Sequence, residues 1–133
     1  MTMEERAAAA AMYKETSRLN CSQAVLRALE DLLPVDDETL MQLGAGFGVG
    51  MGCMETTCGA LAGAVMAAGV LTNGLSTPRC AREILRRFQA RCGATLCRDL
   101  KGRDTGEELC SCTDCVRNAV LALGEVLPLD DEF

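Results

Sequence analysis

The sequence predicts an all-α fold, in which residues 1–133 form a single cysteine-rich domain: a bundle of about six helices around a central helix of small residues. Two observations lead to this prediction. The chain has 133 residues, which suits one hydrophobic core and leaves no room for a second. Apolar residues make up 49% of it but aromatic residues only 3%, so Ala, Leu, Val, Met and Cys must fill the core. Such a mixture favours closely packed helices over strands.

Capping signals and a proline set the first three predicted helices. Thr2 and Glu5 have the spacing of a capping box, and Asn20 can cap the helix that follows it. Pro34 cannot continue a helix and is expected to end the second one. The predicted helices are a first that ends near Ser17, a second from Cys21 to about Leu33, and a third from Glu38 to Leu43.

A glycine-rich segment follows, with Gly at every second position from Gly44 to Gly52. This regularity predicts a backbone that passes close to another group or adopts positive φ repeatedly. The segment lacks the preceding strand and the Gly-Lys-Ser/Thr sequence of nucleotide-binding loops. We therefore interpret it as a place where the backbone comes close to a helix, a cofactor or a partner chain.

The second half of the chain contains the smooth helix expected at the centre. Thr56 or Thr57 is expected to cap it, and its many Gly and Ala residues allow neighbours to pack closely. Thr77-Pro78 is typical of a helix start, and Gly93 of a helix end. The predicted elements are a helix from Cys58 to about Gly69, a helix from Thr77 to Gly93, a short turn over Thr95–Leu100, and a helix from Thr113 to Leu127 that Pro128 ends.

The charge pattern and the apolar runs argue against two classes of partner. The net charge is −6 and the basic residues never form a block, which argues against nucleic acid and anionic membrane surfaces. The longest apolar run, Cys58–Leu71, has 14 residues, whereas roughly 20 are needed to span a bilayer. The N-terminal sequence is acidic where a secretion signal is positive. We therefore expect a cytoplasmic protein with reduced thiols and no membrane contact.

Nine cysteines and the absence of histidine carry most of the functional information. Without histidine, a Cys-His nucleophile pair, a His-ligated haem and a Cys₂His₂ zinc site are excluded. In a reducing compartment, cysteines are expected as metal ligands or reactive groups rather than as a disulfide framework. The composition therefore predicts redox chemistry, or a metal or iron–sulfur centre held by thiols.

Three cysteines lie at predicted helix starts, where the helix dipole and free N–H groups stabilise a thiolate. A Cys-x-x-Cys pair near the C-terminus has a spacing common to metal sites and dithiol motifs. The helix-start residues are Cys21, Cys58 and Cys112, and the pair is Cys112 with Cys115. By contrast, Cys80 and Cys92 share a helix with apolar neighbours and are expected to pack in the core.

Five segments between positions 20 and 116 combine cysteines with small residues. They are Asn20-Cys21-Ser22-Gln23-Ala24-Val25, Gly46-Phe47-Gly48-Val49-Gly50-Met51-Gly52, Cys58-Gly59-Ala60-Leu61-Ala62-Gly63, Cys97-Arg98-Asp99-Leu100, and Cys112 with Val116. Together they resemble a family of proteins described as redox-active and named for their C, GCAxxG, C, C cysteine pattern. In this chain Gly59 directly follows Cys58, and five cysteines are additional to the four of the family.

The resemblance implies redox activity and a site in which the family's four cysteines converge, here Cys21, Cys58, Cys97 and Cys112. Four thiolates are the usual ligands of an iron–sulfur cluster for electron transfer or sensing, and equally of structural zinc. A first alternative is a thiol–disulfide oxidoreductase or redox sensor without metal, in which Cys58, Cys112 and Cys115 react. A second is a helical interaction module in which the thiols only pack.

The sequence leaves the reaction and the partners open. Oxidoreductase activity through the cysteines is compatible with the pattern, but no substrate, electron partner or thiol partner can be named from it. The smooth helix and the glycine-rich segment are compatible with a homodimer and equally with a tightly packed monomer.

Overall fold

A computed structural model describes residues 1–127, and these residues confirm the all-α prediction. Within them, seven α-helices and three short helical turns account for most of the chain, and no strand is present. None of these helices is both long and apolar enough to cross a membrane. The predicted stop at Pro128 lies outside the described residues. The α-helices are α1 (Met3–Thr16), α2 (Cys21–Ala28), α3 (Asp37–Gly44), α4 (Gly59–Leu71), α5 (Thr77–Cys92), α6 (Cys97–Lys101) and α7 (Cys112–Val126).

The helix starts predicted at Thr2 and Asn20 are confirmed. Each of these side chains accepts a hydrogen bond from the backbone three residues further on, as in a capping box. Helix α2, however, ends at Ala28 rather than near Leu33, and a 3₁₀ turn over Glu30–Leu32 follows it. Leu33 follows this turn with an extended backbone, as expected for the residue before Pro34, and is buried, at 6% exposed.

The small-residue helix α4 lies in the core, as predicted. Ala60, Gly63 and Ala67 are all buried, and α4 packs against α2, α5 and α7. Helix α7 shares the centre, since it packs against α1, α2, α4 and α5 and buries most of one face. The core therefore has two central helices, and a cysteine stands at the start of each.

Glycines on α4 allow the cysteine end of α2 to approach closely. A Cβ atom on Gly63 would lie 3.0 Å from the carbonyl oxygen of Ser22, and one on Gly59 would lie 2.5 Å from the carbonyl oxygen of Phe47. A larger residue at either position would push these elements apart. The small residues thus bring together the starts of α2 and α4, and with them two of the predicted cysteines.

A short backbone bridge ties the start of α4 to the start of α6. It is antiparallel and centred on Thr57. The N–H of Cys58 donates to the carbonyl of Thr95 over 2.8 Å, and the N–H of Cys97 donates to the carbonyl of Thr56 over 3.0 Å. Because Thr57 is held in this bridge, neither threonine caps α4, and the N-cap residue is Cys58 itself. This corrects the predicted cap and holds Cys58 near Cys97.

Candidate thiol and metal sites

The four cysteines that the family resemblance selects line a single cavity of about 130 Å³. We call it the four-cysteine cavity, after Cys21, Cys58, Cys97 and Cys112. Cys21, Cys97 and Cys112 are the first residues of α2, α6 and α7, and Cys58 is the N-cap residue of α4. The start predicted for this short helix, Thr95, lies two residues before the observed one, so the position of Cys97 at a helix start is visible only in the structure.

The glycine-rich segment forms one wall of this cavity through Val49, Gly50 and Met54. Gly50 has a φ of +57°, and a Cβ atom on it would lie 2.7 Å from the Cβ atom of Cys97. Val49 and Met54 also have positive φ values, 54° and 65°, which are strained for residues with side chains. Both features predicted for the segment, close approach and positive φ, are therefore confirmed.

Two lysines, Lys14 of α1 and Lys101 of α6, complete the charged lining of the cavity. No carboxylate belongs to this lining among residues 1–127. Lysine ammonium groups beside thiols favour the thiolate form. The cavity therefore combines soft sulfur donors with positive charge, a setting suited to an anionic group or to a metal held by thiolates.

A side-chain hydrogen bond joins Cys21 and Cys112 across the cavity. The bond from Cys21, assisted by the positive charge of Lys101, lowers the pKa of Cys112 to about 5. The same bond, together with burial, raises the pKa of Cys21. The pair thus holds one proton and one negative charge at neutral pH. This differs from the expectation that both helix-start thiols are acidic, because two adjacent thiolates repel each other.

The other two cysteines of the cavity differ in their environment. A hydrogen bond from Cys115 lowers the pKa of Cys58, and the backbone N–H groups of Ala60 and Leu61 act in the same direction. These N–H groups belong to the first turn of α4, so the helix start stabilises this thiolate as expected. For Cys97, burial dominates and raises the pKa of the thiol.

The sulfur positions distinguish a single metal ion from a larger group. Around one tetrahedral zinc, with Zn–S near 2.3 Å, sulfurs lie about 3.8 Å apart. Within residues 1–127, no three sulfurs of the four-cysteine cavity lie within 4.8 Å of one another. The four thiols surround a space rather than a point.

A second group of cysteines does converge. The sulfur atoms of Cys92, Cys110 and Cys115 all lie within 4.8 Å of one another, and the three residues are 4%, 8% and 0% exposed. We call this group the three-cysteine cluster. Its spacing would allow the three thiolates to bind one metal ion. Cys92 is buried in the core, as predicted, and also belongs to this cluster, whereas Cys80, predicted to pack there too, is only half-buried.

Sequence reasoning missed this cluster because its members come from unrelated positions. Cys92 ends α5, Cys110 lies in the loop before α7, and Cys115 lies one turn inside α7. The Cys-x-x-Cys spacing was visible, but its two members belong to different groups: Cys112 lines the cavity, and Cys115 joins the cluster. No spacing rule connects Cys92 to either.

Hydrogen-bond donors surround the three-cysteine cluster. The amide of Asn118 donates to the sulfur of Cys92 at 3.4 Å and to that of Cys110 at 3.9 Å. Bonds from Cys115, Cys110 and Asn118 lower the pKa of Cys92 to about 6. Burial, followed by the neighbouring Cys92, raises the pKa of Cys110 to about 11. The Cys115 thiol donates to the carbonyl oxygen of Cys110 at 3.7 Å, and its interactions with Cys58 and Cys92 raise its own pKa.

Lys101 connects the two groups of thiols. Its ammonium donates to the carbonyl of Cys110 over 2.8 Å and lies 3.8 Å from the sulfur of Cys115, and it also bonds Cys112 in the cavity. Burial would lower the pKa of this lysine, but its interactions with Cys115 and Cys112 outweigh burial and raise the pKa to about 12. Lys101 therefore stays positively charged between the two groups. Of the other cysteines, Cys53 and Cys80 belong to neither.

Comparison with known proteins gives one match. The model of a family described as "Putative redox-active protein (C_GCAxxG_C_C)" matches residues 19–126 of the chain. The matched region includes all of the cavity cysteines and all of the cluster cysteines. No curated protein matches the chain, and no solved structure does.

Proposed function

We propose that this chain, which belongs to the redox-active C_GCAxxG_C_C family, binds an iron–sulfur cluster in the four-cysteine cavity and uses it for electron transfer or sensing. The observation that carries the proposal is that four cysteines from four separate helix starts line one cavity. Thiolates are the standard ligands of iron–sulfur clusters, and four is the usual number. When bound, such a cluster accepts and releases single electrons.

The size of the cavity supports a group of several atoms over a single ion. One water molecule needs roughly 10–15 Å³ of cavity volume, and this cavity has about 130 Å³, which leaves room for a group of several atoms. The sulfurs are also spread more widely than one zinc ion requires. The donor set therefore fits a polynuclear cluster better than mononuclear zinc.

The protein's own residues would hold and tune the bound group. Cys21, Cys58, Cys97 and Cys112 would supply the sulfur ligands, and the first-turn N–H groups of the helices would stabilise their charge. Lys14 and Lys101 would offset part of the negative charge of four thiolates. The strained wall formed by the glycine-rich segment would limit the access of water.

A second candidate function, thiol–disulfide exchange, is favoured by the hydrogen-bonded pair in the cavity. Cys112 is partly exposed and carries the charge, while Cys21 lies beside it. In this alternative the Cys112 thiolate attacks a disulfide of a partner protein, and Cys21 resolves the mixed disulfide. The partner disulfide gains two electrons and the one proton of Cys21, so it leaves as one thiol and one thiolate, and Cys21 and Cys112 become a disulfide. Cys58 and Cys115 form a second hydrogen-bonded pair of the same kind.

The test is the visible absorption of protein purified without oxygen, with two single variants. Cys97→Ser removes a proposed ligand that takes no part in either hydrogen-bonded thiol pair, and Cys80→Ser is the matched control outside both groups. We expect cluster absorption in the native chain and in Cys80→Ser, and its loss in Cys97→Ser. Absorption that survives in Cys97→Ser would exclude this ligand set. A colourless native chain with a Cys21–Cys112 disulfide would favour the second candidate.

A further inference from the structure

We propose that the three-cysteine cluster is a second metal site, separate from the four-cysteine cavity, in which Cys92, Cys110 and Cys115 bind one divalent thiophilic ion, with zinc as the best-fitting metal. The proposal rests on the convergence of three buried sulfurs from three different parts of the fold. Thiolates prefer soft metal ions over the oxygen-seeking Mg²⁺ and Ca²⁺.

The geometry of the cluster is close to that of a thiolate metal site. The three sulfurs already lie within 4.8 Å of one another, and about 3.8 Å is the separation around zinc. Three protein ligands are also the number found at zinc sites that leave one position for another donor.

The surroundings of the sulfurs are not those of cysteines that only pack. Buried thiols often act as small hydrophobic groups with apolar neighbours. Here the Asn118 amide faces two of the sulfurs and the Lys101 ammonium faces the third. Donors placed around sulfur stabilise the thiolate and orient it, as the groups behind metal ligands do. The cluster is therefore arranged to carry negative charge.

Charge balance selects a divalent ion. Three thiolates contribute three negative charges, and the adjacent Lys101 contributes one positive charge. A divalent ion makes the sum zero, whereas a monovalent ion such as Cu(I) leaves one uncompensated charge among residues that are at most 8% exposed. Buried uncompensated charge is strongly unfavourable. Zn(II) meets this condition, and Cd(II) can replace it as a spectroscopic probe.

The experiment separates this site from the four-cysteine cavity with two double variants of the full chain. Cys21→Ser/Cys112→Ser removes two cavity cysteines and keeps the cluster, whereas Cys92→Ser/Cys110→Ser does the reverse. Each reduced, metal-free protein is titrated with Cd(II), and the sulfur-to-cadmium ultraviolet band and the retained metal are measured. Cys80→Ser, on the same helix as Cys92, is the control.

We expect Cys21→Ser/Cys112→Ser to retain one Cd(II) after desalting, with the band intensity of three thiolates. Cys92→Ser/Cys110→Ser should bind one ion fewer than Cys80→Ser. No retained Cd(II) in the first variant, or no loss in the second, would overturn the proposal. The iron and sulfide content of Cys92→Ser/Cys110→Ser tests the four-cysteine cavity independently. Failure of the proposed cluster site can therefore be distinguished from failure of the proposed iron–sulfur site.

A second measurement does not depend on the folding of the cluster variant. Cys21→Ser/Cys112→Ser is loaded with one equivalent of Zn(II), and X-ray absorption counts the sulfurs bound to zinc. Three sulfurs at about 2.3 Å are expected. Coordination mainly by oxygen and nitrogen would contradict the cluster as the binding site.

Discussion

The four-cysteine cavity and the three-cysteine cluster lie side by side and show two ways in which a helical fold gathers thiols. In the cavity, every cysteine stands at a helix start, and the thiols surround an open space. In the cluster, the cysteines come from a helix end, a loop and a helix interior, and their sulfurs converge in a closed core. Thiols at helix starts can therefore surround a group of several atoms, whereas thiols packed in the core come close enough together to bind a single ion.

The largest expected effects come from the pair of cysteines that joins the two groups. Cys58 lines the cavity, Cys115 belongs to the cluster, and a hydrogen bond links them. If the groups are separate sites, Cys58→Ser should abolish the retention of iron and sulfide but keep Cd(II) binding at the cluster. Cys115→Ser should do the reverse. The measurement is metal and sulfide analysis of both variants. If either substitution emptied both sites, the two groups of thiols would not be separate sites.

The next largest effect concerns the approach of α4 to its neighbours. Gly59→Ala would place a Cβ atom 2.5 Å from the carbonyl oxygen of Phe47, which is backbone and cannot rotate away. We expect a loss of about 3 kcal/mol in the free energy of unfolding through overpacking. Gly46→Ala, where a Cβ atom meets nothing within 4 Å, is the matched control and should change it by less than about 0.5 kcal/mol. Equal urea-unfolding midpoints would show that the close approach is not required.

The hydrogen-bonded pair in the cavity predicts a contrast in reactivity with pH. In reduced, metal-free protein, alkylation of Cys112 should rise as the pH passes upward through about 5, because the thiolate forms there. Cys21, whose pKa is raised, should stay protonated through the neutral range. At pH 7 an ordinary thiol is only about 3% ionised, so Cys112 should be alkylated faster than Cys21. Mass-spectrometric mapping that gave equal rates would contradict the pairing.

A smaller effect is expected from the lysine between the two groups. Lys101→Met removes the ammonium 3.8 Å from the sulfur of Cys115. Loss of such a supporting group typically weakens metal binding by about tenfold or more, and we expect about tenfold for Cd(II) at the cluster. Lys14→Met should leave this affinity unchanged, because Lys14 lines only the cavity. The measurement is competition titration with Cd(II) in the Cys21→Ser/Cys112→Ser background. If Lys101→Met and Lys14→Met weakened Cd(II) binding equally, Lys101 would have no specific role at the cluster.

The sequence predicted the fold well because local signals determine most of it. The caps at Thr2 and Asn20 act over a few neighbouring residues, and the run of small, apolar residues in α4 is visible in the sequence; the structure confirms both. The exceptions are tertiary effects. A 3₁₀ turn replaces the predicted end of α2, with Leu33 buried after it, and Cys58 rather than a threonine precedes α4 because Thr57 is held by a bridge to a distant segment.

The two cysteine groups could be predicted to very different extents. The helix-start positions of Cys21, Cys58 and Cys112 are visible in the sequence, because capping and dipole effects are local. The convergence of Cys92 with Cys110 and Cys115 depends on how α5 packs on α7, a contact between residues far apart in the chain. No single-sequence pattern reports such a contact, so the cluster became visible only in the folded structure.

The most direct test of the central claim is the iron and acid-labile sulfide content of the native chain, purified without oxygen and measured together with zinc. We expect iron and sulfide in equal amounts, as in [2Fe–2S] and [4Fe–4S] clusters, with zinc bound separately at the three-cysteine cluster. The proposal would be contradicted by a fully folded chain that contains neither iron nor sulfide. In such a chain the cavity cysteines would be free, disulfide-bonded or bound to zinc; these are Cys21, Cys58, Cys97 and Cys112.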